Sequence, residues 1–119
     1  MNDVYTERIL AYWEKALHFQ HPSTITHKAE VQSLICGDNV YCELNIQNGI
    51  LIEIGIFPRG CCLCNAAAAI TAEYFTGKTV EELNSYTEED LLTILKIIVP
   101  CCRQSCVSLS WHALRKALQ

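Results

Sequence analysis

No apolar run in the 119 residues approaches the roughly 20 needed to cross a bilayer. Positive charge is also scarce: nine Lys and Arg stand against thirteen Asp and Glu, for a formal charge of −4. There is no basic run and no basic stripe interleaved with aromatics, so neither a membrane nor nucleic acid is an expected partner. The opening residues, Met1 to Arg8, lack a basic segment followed by an apolar one. No secretory leader is expected from them, and the cytoplasm is the expected compartment. No linker, internal repeat or low-complexity stretch divides the chain, so residues 1–119 are expected to form one domain with one core.

What the sequence does have in excess is cysteine, eight in all. Half of the residues are apolar and 18% are charged, which suits a soluble globular protein. In a reducing compartment such cysteines are more often metal ligands or catalysts than cross-links. Their even count leaves a disulfide framework arithmetically open.

The pattern of side chains sets an order of elements. Residues 4–19 place Val4, Ile9, Leu10, Trp13, Ala16 and Leu17 near helical spacing, and His21-Pro22-Ser23-Thr24 reads as a stop and connector. From Val40 to Gln47 apolar and polar residues alternate, as in a half-buried strand. Asn48-Gly49 suits a type I′ hairpin turn, after which Ile50, Ile52, Ile54 and Ile56 alternate again. Val31 to Ile35 reads as a third strand of an antiparallel meander with one buried face. An Ala-rich helix is expected over Asn65–Phe75, with Gly77 at its C-terminal end. Thr79 and Thr87, each followed by acidic residues, read as helix N-caps. Leu91 to Val99 reads as a helix stopped by Pro100, and a last helix runs from near Cys106 to the C-terminus. The predicted fold is α+β: a three-stranded antiparallel sheet with the helices packed on one face.

Three cysteines fall where a regular element meets a turn. In Cys36-Gly37-Asp38, extended backbone would point the two ligand-capable side chains the same way. Cys61 stands where a strand gives way to a helix, and Cys106 near another helix start. Helix N-termini favour thiolate. Three thiolates and a carboxylate from separate loops suit tetrahedral zinc or an iron–sulfur cluster. The spacing is not that of a CxxC…CxxC zinc ribbon, so pattern alone leaves convergence open.

The run Cys36-Gly37-Asp38-Asn39-Val40, the hairpin, Gly60-Cys61 and the Ala-rich helix ending Thr76-Gly77-Lys78-Thr79 resemble the NifU N-terminal/IscU family. Arg103-Gln104-Ser105-Cys106, with Leu109-Ser110-Trp111-His112-Ala113-Leu114, is similar to that family's last cysteine and C-terminal helix, with a flavour of its SufU branch. The resemblance covers roughly residues 4–118. It implies that Cys36, Asp38, Cys61 and Cys106 are the ligands of a non-enzymatic assembly scaffold. On such a scaffold, iron and sulfide delivered by a cysteine desulfurase build a [2Fe–2S] cluster that passes to apo-proteins. In SufU-like members the four residues hold zinc and the protein accepts persulfide sulfur, which is the alternative reading. A third is a binding module whose cysteines are core or redox-sensing thiols.

The chain also departs from the family. Ser105 stands where IscU-type scaffolds have His and SufU-type ones have Lys. Ile98-Val99-Pro100-Cys101-Cys102-Arg103 replaces the chaperone-docking Leu-Pro-Pro-Val-Lys, so a dedicated Hsp70 partner is not expected. The short separation of Cys61 and Cys106 leaves no room for the SufU insertion, and His18-Phe19-Gln20-His21-Pro22 replaces an Asn-Pro-Arg-like stretch. Of the remaining cysteines, Cys42 reads as core. Cys62 and Cys64 read as buried hydrophobes, against alternative ligation or persulfide relay at Cys64, Cys101 or Cys102. His112 reads as a helix-packing residue, Trp13 and Trp111 as core or docking surface, and His18, His21 and His27 receive no role.

Overall fold

The computed structural model describes residues 3–35, 37–97, 99 and 103–119, the first four of these by backbone alone. A helix, α1 (Asp3–Ala16), precedes three strands, β1 (His27–Gln32), β2 (Asn39–Gln47) and β3 (Ile50–Arg59). Among the described residues five helices follow: α2 (Cys62–Phe75), α3 (Val80–Ser85), α4 (Glu88–Leu95), α5 (Gln104–Val107) and α6 (Leu109–Ala117). The strands form an antiparallel meander in the order β1-β2-β3, as the alternation predicts. Asn48 and Gly49 both take positive φ, 53° and 76°, the geometry that the type I′ turn demands.

The core lies between the inner face of the sheet and α2. Val40, Cys42 and Leu44 of β2 and Ile56 of β3 are fully buried there. α2 is apolar almost all round, with ten buried residues that include Ala66 to Ala69, so it runs through the interior as a central rod. α1, β3, α4, α5 and α6 all pack against it, and α6 also covers the inner face of β1 and β2. Thr79 and Thr87 each cap a helix through a complete capping box, with Glu82 and Asp90 as the reciprocal partners. Each such cap is worth about 1 kcal/mol.

Several boundaries differ from the sequence reading. β1 begins at His27 and ends at Gln32, so Leu34 and Ile35 are not strand residues but an exposed turn. The turn is held by Ser33, whose N–H donates to the Asp38 carbonyl (2.8 Å) and whose hydroxyl accepts from Ile35 N (3.2 Å). In β3 a bulge leaves Ile52 without a partner opposite, since Asn45 pairs with Glu53 but Ile46 with Leu51. A single extra residue reverses the faces. Leu51 is therefore buried, and Ile50 and Ile52, expected inward, are exposed. α4 stops at Leu95, because Lys96 takes the left-handed conformation (φ 53°), not at Pro100, which lies outside the described residues. The last helix is broken at Ser108 into α5 and α6.

The outer face of the sheet is also less open than alternation suggests, for Glu43 and Asn45 are buried. The connector after α1 crosses this face and its polar groups meet theirs. His21 Nδ1 binds Glu43 Oε1, and Ser23 Oγ donates to Glu53 Oε1 (2.6 Å), which also accepts from Asn45 Nδ2 (2.9 Å). Tyr41 donates its hydroxyl to Glu43 Oε2 (2.7 Å), a bond that, with burial, pushes its own pKa to about 12. Burial raises the Glu43 carboxyl, but the hydrogen bonds from His21 and Tyr41 outweigh it and hold the group below its ordinary 4.5. A lowered carboxyl stabilises the fold above its unfolded pKa, and the gain disappears as pH falls through the lower, folded value. Equilibrium urea unfolding at about pH 6 and about pH 3 measures this. The wild type is expected to lose more stability on acidification than Glu43→Gln, and equal losses would contradict the assignment.

Candidate metal centre

The pairing of β2 with β3 brings two of the sequence-predicted ligand blocks together. Asn39 pairs with Arg59, so Asp38 and Gly60 meet where the strands end. Gly37 precedes Asp38 with φ +76°, a left-handed turn that a side chain would strain, and its N–H donates to the Ser33 carbonyl (3.0 Å). The Asp38 carboxylate lies over Gly60. A Cβ built on Gly60 would stand 2.5 and 2.8 Å from its two oxygens, so any larger residue there would force the buried acid to move.

Asp38 is 9% exposed, and its Oδ2 has no hydrogen-bond partner among the described residues. A buried carboxylate oxygen left unpaired costs about 1–3 kcal/mol or more. A cation at that oxygen would offset the cost, which is the chemistry expected of a ligand.

Next to Gly60, Cys61 caps α2 in extended conformation (φ −69°, ψ 170°) and is half-buried. Its side chain makes no cap hydrogen bond. Asn65 holds the junction instead: its Nδ2 donates to the carbonyls of Gly60 (3.0 Å) and Cys61 (2.9 Å), and its N–H to the Cys61 carbonyl (3.1 Å). This positioning role is absent from the sequence reading, although an Asn in an Ala-rich helix, four residues past the cysteine, is its signal. Cys106 is buried on α5, which packs against α2.

Asp38 and Cys61 thus flank one glycine, and Cys106 lies on a helix that packs against the one led by Cys61. Cys36 lies outside the described residues, as do Cys101 and Cys102. Asp38, Cys61 and Cys106 alone do not close into a metal-holding group, and among the described residues no set of three His, Cys, Asp or Glu does.

The other cysteines separate by burial. Cys42 is fully enclosed, and desolvation pushes its thiol to about 12, which keeps it a neutral core residue. Cys64 is buried as expected, whereas Cys62 is exposed on the first turn of α2. His112 is also exposed, its ring edge-on to Trp111 (5.0 Å) and its Nε2 3.4 Å from Glu88 Oε1. A cleft of about 520 Å³, lined by Arg8, Tyr12, Glu73, Tyr74 and Lys96 among others, includes none of the candidate ligands.

The fold and this junction define an α+β domain that presents an acid and a cysteine between a sheet end and a helix start. The family pattern described as the NifU-like N terminal domain matches residues 4–119, and the chain belongs to that family. It is 25% identical, over 132 aligned positions covering 98% of this chain and 93% of the relative, to the iron–sulfur cluster assembly scaffold protein IscU of Thermotoga maritima. Its fold is similar to that of a nitrogen-fixing NifU-like protein (N-terminal) from Brucella abortus. There the TM-score is 0.78 at 20% identity, covering 98% of this chain and 92% of that one. A putative scaffold protein for the SUF system from Fervidobacterium islandicum gives 0.77 at 20% identity, with 98% and 97% covered.

The close approach at Gly60 has a measurable consequence. Gly60→Ala is expected to destabilise the chain by about 1–3 kcal/mol through overpacking against the acid. In an Asp38→Ala background the same substitution should cost at least about 1 kcal/mol less, because the clashing carboxylate is gone. Denaturant unfolding of the four proteins measures the coupling, and strictly additive costs would disprove the contact.

Proposed function

We propose that this chain is a non-enzymatic scaffold for iron–sulfur cluster assembly, with Cys36, Asp38, Cys61 and Cys106 as the groups that hold iron or a [2Fe–2S] cluster. The observation that carries the reading is the buried, unpartnered Oδ2 of Asp38 beside the residue that leads into Cys61. Family membership and the similarity to an IscU scaffold support it. Iron and sulfide are cargo here, sulfur coming from a cysteine desulfurase and the finished cluster passing to apo-proteins. The chain contributes three soft sulfur donors and one hard oxygen. A carboxylate is the weaker partner for such a cluster, which suits a site that must let its cargo go. Asn65 keeps the Gly60–Cys61 backbone fixed while ligands exchange.

Anaerobic incubation with ferrous iron and sulfide, followed by visible absorption, tests the reading. Colour is expected to develop in the wild type and in Cys62→Ser, and to be lost in Cys36→Ser, Cys61→Ser and Cys106→Ser. A wild-type chain that stays colourless and takes up no iron would refute the scaffold. One tightly held zinc, with stimulation of a desulfurase, would assign the SufU-type sulfurtransferase instead.

A further inference from the structure

α1 carries two apolar faces, where a helix lying on a core needs one. Ile9, Tyr12 and Ala16 pack inward. Leu10, Trp13 and Leu17 face solvent instead, with 52%, 40% and 64% of their surface exposed. They recur at steps of three and four, and Leu17, one residue past the helix, continues its turn through an N–H bond to the Glu14 carbonyl (3.1 Å). The three side chains therefore form one stripe.

Glu7 and Glu14 lie on the same row as Leu10, three residues before it and four after. Both are exposed, and neither has an ion-pair partner among the described residues. The cations of α1 are engaged elsewhere. Arg8 lies over the Tyr12 ring (4.9 Å) and donates Nε–H to the Leu95 carbonyl (2.9 Å). Lys15 lies over the same ring (4.6 Å) and pairs with Glu73 (3.5 Å). A second copy laid on this stripe would add its own Glu7 and Glu14 and bring no unengaged α1 cation to answer them. The same two acids oppose an anionic lipid surface.

We propose that the Leu10–Trp13–Leu17 stripe docks an amphipathic helical segment of another protein, one whose apolar side chains are flanked by Lys or Arg. Trp13 sits at its centre, where a large aromatic anchors an interface best. Glu7 and Glu14 supply the charge that selects a basic partner and speeds its approach. This surface is independent of the metal-centre reading.

The probe is a synthetic helical peptide with leucines along one face flanked by lysines, titrated calorimetrically into the full chain. A peptide carrying glutamates in place of the lysines is the control. Saturable binding of the lysine peptide is expected, weakened about tenfold or more by Leu10→Ser with Leu17→Ser. Glu7→Gln with Glu14→Gln should leave the fold intact and remove most of the salt dependence. No binding, equal binding of the glutamate peptide, or salt dependence unchanged in the glutamine variant would overturn the proposal. Sedimentation of the chain alone showing a dimer that Trp13→Gln dissolves would also overturn it, by giving the stripe to a second copy.

Discussion

The near-complete burial of α2 is the constraint from which the rest of the architecture follows. From Cys64 to Ala72 every residue of this helix is buried, so that stretch must be wrapped by the sheet and by other helices, and only residues near its ends, such as Cys62, Glu73 and Tyr74, reach the surface. Its small residues let neighbours come close, and α1, α4, α5, α6 and β3 do so. The wrapping decides where chemistry can occur. A helix buried along its length meets the surface at its ends, and the N-terminal end is Cys61, beside the loop that carries Asp38.

Two local devices turn that placement into a defined junction. Gly60 gives up its side chain so that a carboxylate can lie on the backbone, and Asn65 uses three hydrogen bonds to fix the Gly60–Cys61 segment. Neither residue is a ligand. Both hold the chain in place around Asp38 and Cys61, and both come from the same short stretch of sequence. Cys42 shows the opposite case: equally a thiol, it is sealed in the core and kept neutral.

Much of this was legible from residues alone, because the signals were local. Asn48-Gly49 set the hairpin, and Thr79 and Thr87 marked helix starts with their acidic partners three residues on. Much of what escaped depended on partners distant in sequence. The bulge that turns Leu51 inward is set by the hairpin tip, where Leu51 N–H bonds the Lys78 carbonyl (3.0 Å) and Ile50 bridges to Thr79. No alternation pattern encodes that contact. Leu34 and Ile35 read as strand because they are apolar, yet Ser33 turns the chain before them. Alternation in β2 implies a polar outer face open to water, since nothing in that strand announces that His21 and Ser23 will return to cover it. At the site, the family resemblance rather than spacing named the candidate donors, while the Asn65 hydrogen bonds and the close approach of Asp38 to Gly60 come from the coordinates.

The central claim is that three sulfurs and one oxygen from separate segments share one metal. X-ray absorption at the edge of the bound metal, on anaerobically loaded protein, tests it most directly. For a single tetrahedral ion the expected shell is three sulfurs at about 2.3 Å and one light atom at about 2.0 Å. Cys106→Ser should lower the sulfur count by one. A shell made only of oxygen and nitrogen, or a sulfur count indifferent to residue 106, would contradict the account.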